Sequence, residues 1–461
     1  MQNRKSVIPL LLLAFALAWT ASACSGGKAN DGNTTPSVSG NGQQNGGGQS
    51  HAGNGDNGDG DKNAATQEPV EIIVAHPWDE NVFKQRYSFI DERLPNVTMS
   101  FVNFDGTSPG LQEHFAAGVY PDIIVTGLYG TYYDLDLIYP IEDLVKKHNF
   151  DLSYIAPSLI SDIRSRDPEG RLIAFPDGTA YGALYYNKEV FDLFGVPYPD
   201  PNVAMTWEEV VDLARQLTGE RNGKTYLGLE VTTQPLSEIA QNLTDPETGD
   251  VLLDDLPEFT KYFELMKQLY SIPGMKQAMF NEEGHFNFQF TQGLSAMTLS
   301  INNFLGWDWG EFNAIKKNID LAPMPVWKDH PGVVPPLLST PQVISSYSKH
   351  PDEAFEVLRE YVSRENQIRV ARSMASAPVT TDPEVLKQFG ADIPEYAGKN
   401  VQAYFVGKPA EFDGRKSMWD DYVDMGEALR RFAQSDMDVP RFLREFSEEA
   451  QARVADAMAA N

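Results

Sequence analysis

The chain has 461 residues, 42% of them apolar, and a formal net charge of −28 from 37 Lys and Arg against 65 Asp and Glu. So acidic a surface argues against nucleic acid and against direct docking on anionic lipid, and it leaves a neutral ligand open. The apolar fraction can build real cores. The stretch beyond residue 68 is too long for one average domain and right for two, and it carries no repeat at a solenoid or propeller period.

The first segment runs Arg4 and Lys5, then an apolar stretch from Val7 to Trp19, then small residues, which is the order of a secretory signal. The apolar stretch is shorter than the roughly 18 residues of a spanning helix, and no later segment reaches that length. Cys24 is the only cysteine of the chain. The run Thr20-Ala21-Ser22-Ala23-Cys24-Ser25 resembles the lipobox of bacterial lipoproteins, with Ala21 where that motif usually has Leu. The resemblance implies that residues 1–23 are a signal peptide and that Cys24 is acylated, palmitate included. Ordinary cleavage after Ala23, leaving a free thiol, is the alternative. From Ser25 to about Glu68 the chain is mostly Gly, Asn, Ser, Gln, Asp and Thr, with no Phe, Trp or Tyr and a single Val, so it cannot bury enough apolar surface to offset the entropy of ordering. Residues 24–68 then read as Cys24 and a tether of about 35 to 40 Å root-mean-square span. The acidic run Asp56 to Asp61 does not fit a calcium loop, because aligning Gly60 with the invariant glycine puts Gly55 and Thr66 at the end ligand positions.

Strand and helix then alternate. Glu71 to Ala75 is predicted as a strand, Asn81 to Arg93 as a helix with Val82, Phe83, Arg86, Tyr87 and Ile90 near helical period, and Val97 to Val102 as a second strand. A helix from Pro109 to Ala117 closed by Gly118 and a strand from Asp122 to Thr126 repeat the unit; the Ile-Ile-Val run is typical of a parallel sheet interior. Ligands in such sheets bind beyond the carboxyl ends of the strands, which points to His76-Pro77-Trp78-Asp79 and to Gly127-Leu128-Tyr129-Gly130. Tyr132 and Tyr133 open a helix and are expected to pack. Farther on, Phe175-Pro176-Asp177-Gly178-Thr179-Ala180-Tyr181 leads into the aromatic strand Gly182-Ala183-Leu184-Tyr185-Tyr186-Asn187-Lys188, whose Tyr185 and Tyr186 are expected in the core. Thr206-Trp207-Glu208-Glu209 is a capping box, and Trp207, Val210, Val211, Ala214 and Leu217 share one face of the helix it opens.

In combination these segments resemble the extracellular solute-binding proteins of family 1, the sugar-binding components of ABC importers related to maltose-binding protein. Three further segments match in the same order: Phe290-Thr291-Gln292-Gly293-Leu294-Ser295-Ala296-Met297, Asp320-Leu321-Ala322-Pro323-Met324-Pro325, and Ile344-Ser345-Ser346-Tyr347-Ser348-Lys349-His350-Pro351. Leu338 to Val343 replaces the Gly-rich approach common in relatives. The resemblance implies an α/β fold of the periplasmic-binding-protein type II class, a two-lobed clamshell with a hinge. It implies one lobe from residues 69–180 and 332–375, a second from 181–331 and 376–461, and crossings near Asp177 to Tyr181, Trp327 to Pro335, and Met374 to Pro378. It also implies a monomer on the extracellular face of the cell membrane, held there only by its lipid, that passes its ligand to the permease subunits of an ABC transporter without a cofactor.

A pyranose offers an apolar face of C–H groups and a rim of hydroxyls, so its site needs flat aromatics and Asp, Asn, Gln, Ser or Thr. Loop positions supply both: Trp78, Asp79, Tyr129, Thr179, Tyr181, Asn303, Trp307 and Asp308, with Trp309 the alternative to Trp307. A carbohydrate, an oligosaccharide in particular, is the expected ligand. A surface sensor or a binder of another solute would use the same clamshell. A glycoside hydrolase would need two carboxylates about one bond, and 65 acidic residues leave that pairing open, although no catalytic signature is present. The seven histidines form no His-x-x-x-His or Cys/His cluster, so no metal site is expected, and no Gly-x-Ser-x-Gly elbow marks a hydrolase.

Overall fold

The computed structural model describes residues 69–281, 284–373 and 377–460. Cys24, the predicted leader and the predicted tether lie outside the described residues, as do Met374 to Ser376 of the third expected crossing. Among the described residues no helix is long and apolar enough to cross a membrane.

Strand β1 (Val70–His76) fully buries Ile72, Val74 and Ala75 and lies parallel to β2 (Val97–Asn103) on one side and β3 (Ile123–Val125) on the other. Helix α1 (Glu80–Arg93) joins the first two strands. Its N-cap is Asp79, which accepts from the N–H groups of Asn81 and Val82, and it buries Phe83, Arg86, Tyr87 and Ile90 at spacings that put them on one face. Helix α2 (Ser108–Ala116) starts one residue earlier than its sequence predicts, because the Thr107 hydroxyl accepts from Gly110 N–H at 3.3 Å. The chain leaves it through Gly118 at φ 81°, a conformation that favours glycine. Helix α3 (Tyr129–Asp134) opens at Tyr129. Only Tyr132 packs fully, with no exposed surface, whereas Tyr133 is 36% exposed and donates its hydroxyl to Arg166 O; being adjacent, the two cannot share a helix face.

Helix α4 (Pro157–Arg166) precedes β4 (Phe175–Pro176). The chain then passes into β5 (Gly182–Asn187) of a second sheet, through residues 177–181. Alternation along β5 decides its packing: Ala183 and Tyr185 join one hydrophobic core, Leu184 and Tyr186 the other, as period two requires. Helix α5 (Trp207–Leu217) has the capping box its sequence predicts, with Thr206 N–H donating to Glu209 Oε2 at 2.8 Å and Glu209 N–H to Thr206 Oγ1 at 3.2 Å. Its stripe of Trp207, Val210, Val211, Ala214 and Leu217 is buried as expected. Burial of each large side chain in it contributes about 1.5–3 kcal/mol before entropy is charged. Gly228 lets the segment from Leu227 to Glu230 approach this helix, since a Cβ there would lie 2.1 Å from Ala214 O.

Strands β6 (Met297–Ile301) and β7 (Ile319–Ala322) flank β5, both antiparallel to it. The chain returns to the first sheet at β8 (Pro341–Ile344), giving the order β2-β1-β3-β8-β4 with β8 antiparallel to both neighbours. Helix α6 (Pro351–Tyr361) packs on it, and α7 (Arg364–Ser373) follows. These are the two α/β layers of a two-lobed molecule. The cores meet at the crossing: that of the first sheet continues through Tyr181 and Tyr185 to Phe304, Phe389 and Tyr404. Residues 379–416 also bond to elements packed on the first sheet. Val379 O accepts from Ala156 N–H at 2.8 Å. Along α4, Ser158 and Ser161 donate to Ala410 O and Phe412 O at 2.6 and 2.8 Å, and Asp162 pairs with Lys416 Nζ at 2.5 Å.

Candidate functional site

The carboxyl ends of β1, β3 and β4 place His76 to Asp79, Thr126 to Tyr129, and Asp177 to Thr179 along one edge of the first sheet, where the approach to β8, Leu338 to Thr340, joins them. In the second sheet β6 runs opposite to β5, so its end, Asn302 and Asn303, lies beside the start of β5. Tyr181 N–H donates to Asn302 Oδ1 at 2.9 Å. Glu230 bridges Thr298 in parallel with β6, which brings Thr232, Thr233 and Gln234 out at the same end. Both sheets thus direct loop ends to the crossing at 177–181.

The predicted residues occupy this arrangement unequally. Trp78 is partly exposed, with the Arg86 guanidinium 4.1 Å from its ring centroid and the His76 ring at 4.3 Å, edge-on. Asp79 is exposed and spends one carboxylate oxygen on capping α1. The Tyr129 ring lies under the Arg166 guanidinium at 4.8 Å, and its hydroxyl is buried without a protein partner. Thr179 is 1% exposed and donates to Leu338 O at 3.0 Å, which ties the crossing to the β8 approach. Tyr181 is buried against Phe405, with ring centroids 5.0 Å apart and nearly perpendicular. Asn303 has a buried Oδ1 without a protein partner. Trp307 packs edge-on against Phe304 at 5.0 Å, Asp308 is exposed and accepts from Asn313, and Trp309 is 47% exposed with its ring 4.7 Å from that of Trp307. Trp307 is therefore partly core, and Trp309 is the freer ring.

Two groups at this edge were not singled out from sequence. One is the Thr232-Thr233-Gln234 exit, which carries no motif of its own. The other is the buried set Arg86, Asp177 and Tyr361. Arg86 Nη1 donates to Asp177 Oδ2 at 2.5 Å, and the Tyr361 hydroxyl donates to Asp177 Oδ1 at 2.6 Å and to Asp177 O at 2.8 Å. The signal was present in α1, because an arginine spaced three and four residues from Phe83 and Ile90 sits on the buried face and must be paired there. Burial, with the Arg86 charge nearby, holds His76 well below the ordinary imidazole range. It is neutral, its Nδ1 accepts from Trp78 N–H at 3.2 Å, and its Nε2 faces Asp177 Oδ2 at 4.0 Å.

At the second crossing Glu238 takes two donors, Trp207 Nε1 at 2.8 Å and the Trp327 N–H at 2.7 Å. Burial pushes its carboxyl up to about 7, against the pull of those two hydrogen bonds. Its proton is held more tightly folded than unfolded, so this group's share of stability is greatest below about 4.5, the ordinary value, and is lost as pH rises to about 7. Glu238→Gln cannot ionise. Its melting temperature relative to wild type is expected to rise across that interval, on top of a constant cost for the donor that the amide nitrogen cannot accept. Parallel melting curves for the two proteins between pH 4.5 and 7 would refute the assignment. Glu230, pushed up by burial to about 8, acts in the same direction in both proteins and cancels.

A pocket of about 660 Å³ lies between α4 and residues 411–415, lined by Leu152, Ile160, Arg164, Phe412 and Arg415 among others. None of its residues stands at the carboxyl end of a strand of the two larger sheets, so the loop ends at the crossing and not this pocket form the candidate site. Among the described residues no cluster of His, Cys, Asp and Glu could hold a metal ion.

A family model described as bacterial extracellular solute-binding protein matches residues 91–396. A probable ABC transporter-binding protein of Deinococcus radiodurans is 25% identical over 317 residues, 62% of this chain and 70% of that one. Among solved structures, a sugar transporter protein from Rhizobium etli in an open conformation superposes with a TM-score of 0.63 at 19% identity, over 83% of this chain and 99% of the other. The sugar-binding protein MalE of Xanthomonas citri gives 0.63 at 16% identity over 85% and 98%. The cyclic alpha-maltosyl-1,6-maltose binding protein of Arthrobacter globiformis gives 0.61 at 14% identity over 84% and 100%. At these identities the structural likeness establishes the two-lobed fold.

Proposed function

The chain belongs to the family of bacterial extracellular solute-binding proteins, and we propose that it captures a carbohydrate, an oligosaccharide in particular, and delivers it to the permease of an ABC importer. The family consists of binding proteins, and its description places them outside the cytoplasm. The observation that carries the ligand class is the mixture at the crossing: the rings of Trp78, Tyr129 and Tyr181 beside Thr179, Asn303 and Thr232 to Gln234. The sugar-binding names of the structural relatives support the same reading. Lobes of 69–180 with 332–375, and of 181–331 with 376–461, would close about the ligand as rigid bodies, the closed state favoured by contacts made only there.

A thermal-shift screen of mono- and oligosaccharides tests the class, since a ligand at 100 times its dissociation constant adds about 2.7 kcal/mol of stability. Tyr181→Ala, and either Trp307→Ala or Trp309→Ala, are expected to weaken the sugar found by about 1 to 3 kcal/mol in isothermal titration with the lobes still folded. If none of the three changes affinity, the ring assignment falls. If only a peptide or a phosphorylated compound binds, the carbohydrate reading falls and solute capture alone stands.

We further propose acylation at Cys24 as the only link to the membrane, with residues 25–68 as the tether. Cys24→Ala should then release the protein from cells into the medium, since the acyl chains that hold it are lost. Equal retention of the variant on membranes would exclude the lipid as anchor.

A further inference from the structure

Arg86 stands between two parts of the candidate site. It is 8% exposed on the inner face of α1. One side of its guanidinium lies on the Trp78 ring, 4.1 Å from the centroid. Its Nη1 donates to the carboxylate of Asp177 at 2.5 Å and to the Asp177 carbonyl at 3.3 Å. Asp177 follows β4 directly and is the first residue of the crossing to the second sheet. Its place is fixed further by Tyr361, and its N–H donates to Thr340 O at 2.9 Å. The main chain of Trp78 is held as well: its N–H donates to His76 Nδ1 at 3.2 Å, and its carbonyl accepts from Asn103 Nδ2 at 2.7 Å.

We propose that Arg86 is the positioning residue of a ligand-stacking platform: it holds the Trp78 indole in one orientation and ties that orientation to Asp177 at the root of the first crossing. A planar guanidinium can lie on a ring and pair with a carboxylate at once, whereas a lysine ammonium is a point charge that satisfies the carboxylate alone. Once Asp177 and Tyr361 fix the guanidinium plane, the indole plane follows from it. A stacking ring set before the ligand arrives loses less freedom on binding. Platform and crossing then share one charged group, so a shift of the crossing is felt at Trp78. The proposal rests on the carbohydrate reading for its ligand, but the orientation of Trp78 can be measured without one.

Arg86→Lys keeps the charge beside Asp177 and removes the plane. In the full chain labelled with 5-fluorotryptophan, the Trp78 fluorine resonance, assigned by its loss in Trp78→Phe, is expected to be single and narrow in wild type, and shifted and broadened in Arg86→Lys. An unchanged Trp78 resonance overturns the proposal whether or not any sugar binds. With maltotriose and mannotriose as probes, Arg86→Lys is expected to weaken binding about tenfold in the wild-type background and less than about twofold in the Trp78→Ala background. Equal losses in both backgrounds mean that Arg86 acts through the fold and not through Trp78, and they overturn it too. If neither trisaccharide binds the wild type, it is the ligand reading for these sugars that fails, and the fluorine spectra decide the role of Arg86. Should Arg86→Lys not fold, Arg86→Met with Asp177→Asn leaves no lone buried charge and takes the same two measurements.

Discussion

Asp177→Ala is expected to destabilise the folded protein by about 3–5 kcal/mol, the cost of leaving one member of a buried ion pair uncompensated. Arg86, 8% exposed, would keep the main-chain carbonyl of residue 177 at 3.3 Å and the Tyr361 oxygen at 3.4 Å, but lose the carboxylate of this set. Tyr361 would lose the carboxylate it donates to at 2.6 Å. The loss should appear as a lower urea midpoint at unchanged slope, since the surface exposed on unfolding stays the same. Asp177→Asn retains an acceptor for Tyr361 and is expected to fall between wild type and the alanine variant. A loss below about 1 kcal/mol for Asp177→Ala, the range of exposed pairs, would show that water reaches the guanidinium and that the set is not a closed one.

Trp327→Ala is expected to cost a comparable amount, about 3–5 kcal/mol, by cavity formation at a residue only 1% exposed. The side chain does more than fill space. Its Nε1–H donates to Pro235 O at 2.8 Å and the Lys261 ammonium lies 4.2 Å from the ring centroid, while the main-chain N–H of Trp327 donates to Glu238 at 2.7 Å. Just before it, Val326 N–H donates to Met205 O at 2.9 Å and Val326 O accepts from Trp207 N–H at 3.0 Å, so the main chain joins this segment to the first turn of α5 beside the indole. Hydrogen exchange of residues 328–335 should accelerate in the variant while that of β1 to β3 does not. Trp327→Phe, which keeps most of the volume and loses the bond to Pro235, is expected to cost less than half as much. Equal effects of the two would place the weight on the hydrogen bond instead of the cavity.

Local grammar made much of the fold legible. The α5 capping box and apolar stripe, the α1 face, the turn at Gly118 and the parallel run at β3 all depend on residues within a few positions of one another, where propensity and periodicity act directly. Tyr133 is the counterexample. It reads like its neighbour Tyr132, and only the direction in which α3 meets the first core decides that one is buried and the other faces Arg166.

The candidate residues came from two kinds of reading. The carboxyl-end rule, which needs only the order of elements, pointed to the segments of Trp78 and Tyr129, and Thr179 and Tyr181 were named as polar and aromatic loop positions. That Thr232 to Gln234 emerge beside Asn302 follows from a contact between segments far apart in the chain, whereas Asp79 as a helix cap and Trp307 leaning on Phe304 while Trp309 stays open are local contacts that no motif marks.

The sequence by itself determined the α/β alternation, the family, and the residues at which the chain turns from strand to loop, since these rest on local periodicity and on motifs in order. The tertiary structure alone decided which charges are paired. Arg86 and Asp177 are 91 residues apart, and Asp162 and Lys416 are 254 apart. Their partnership comes from the packing of α1 on the β4 crossing and of α4 on residues 410–416. No window of sequence spans such distances, and a buried charge takes whichever counter-charge the fold delivers within reach of its desolvated head group.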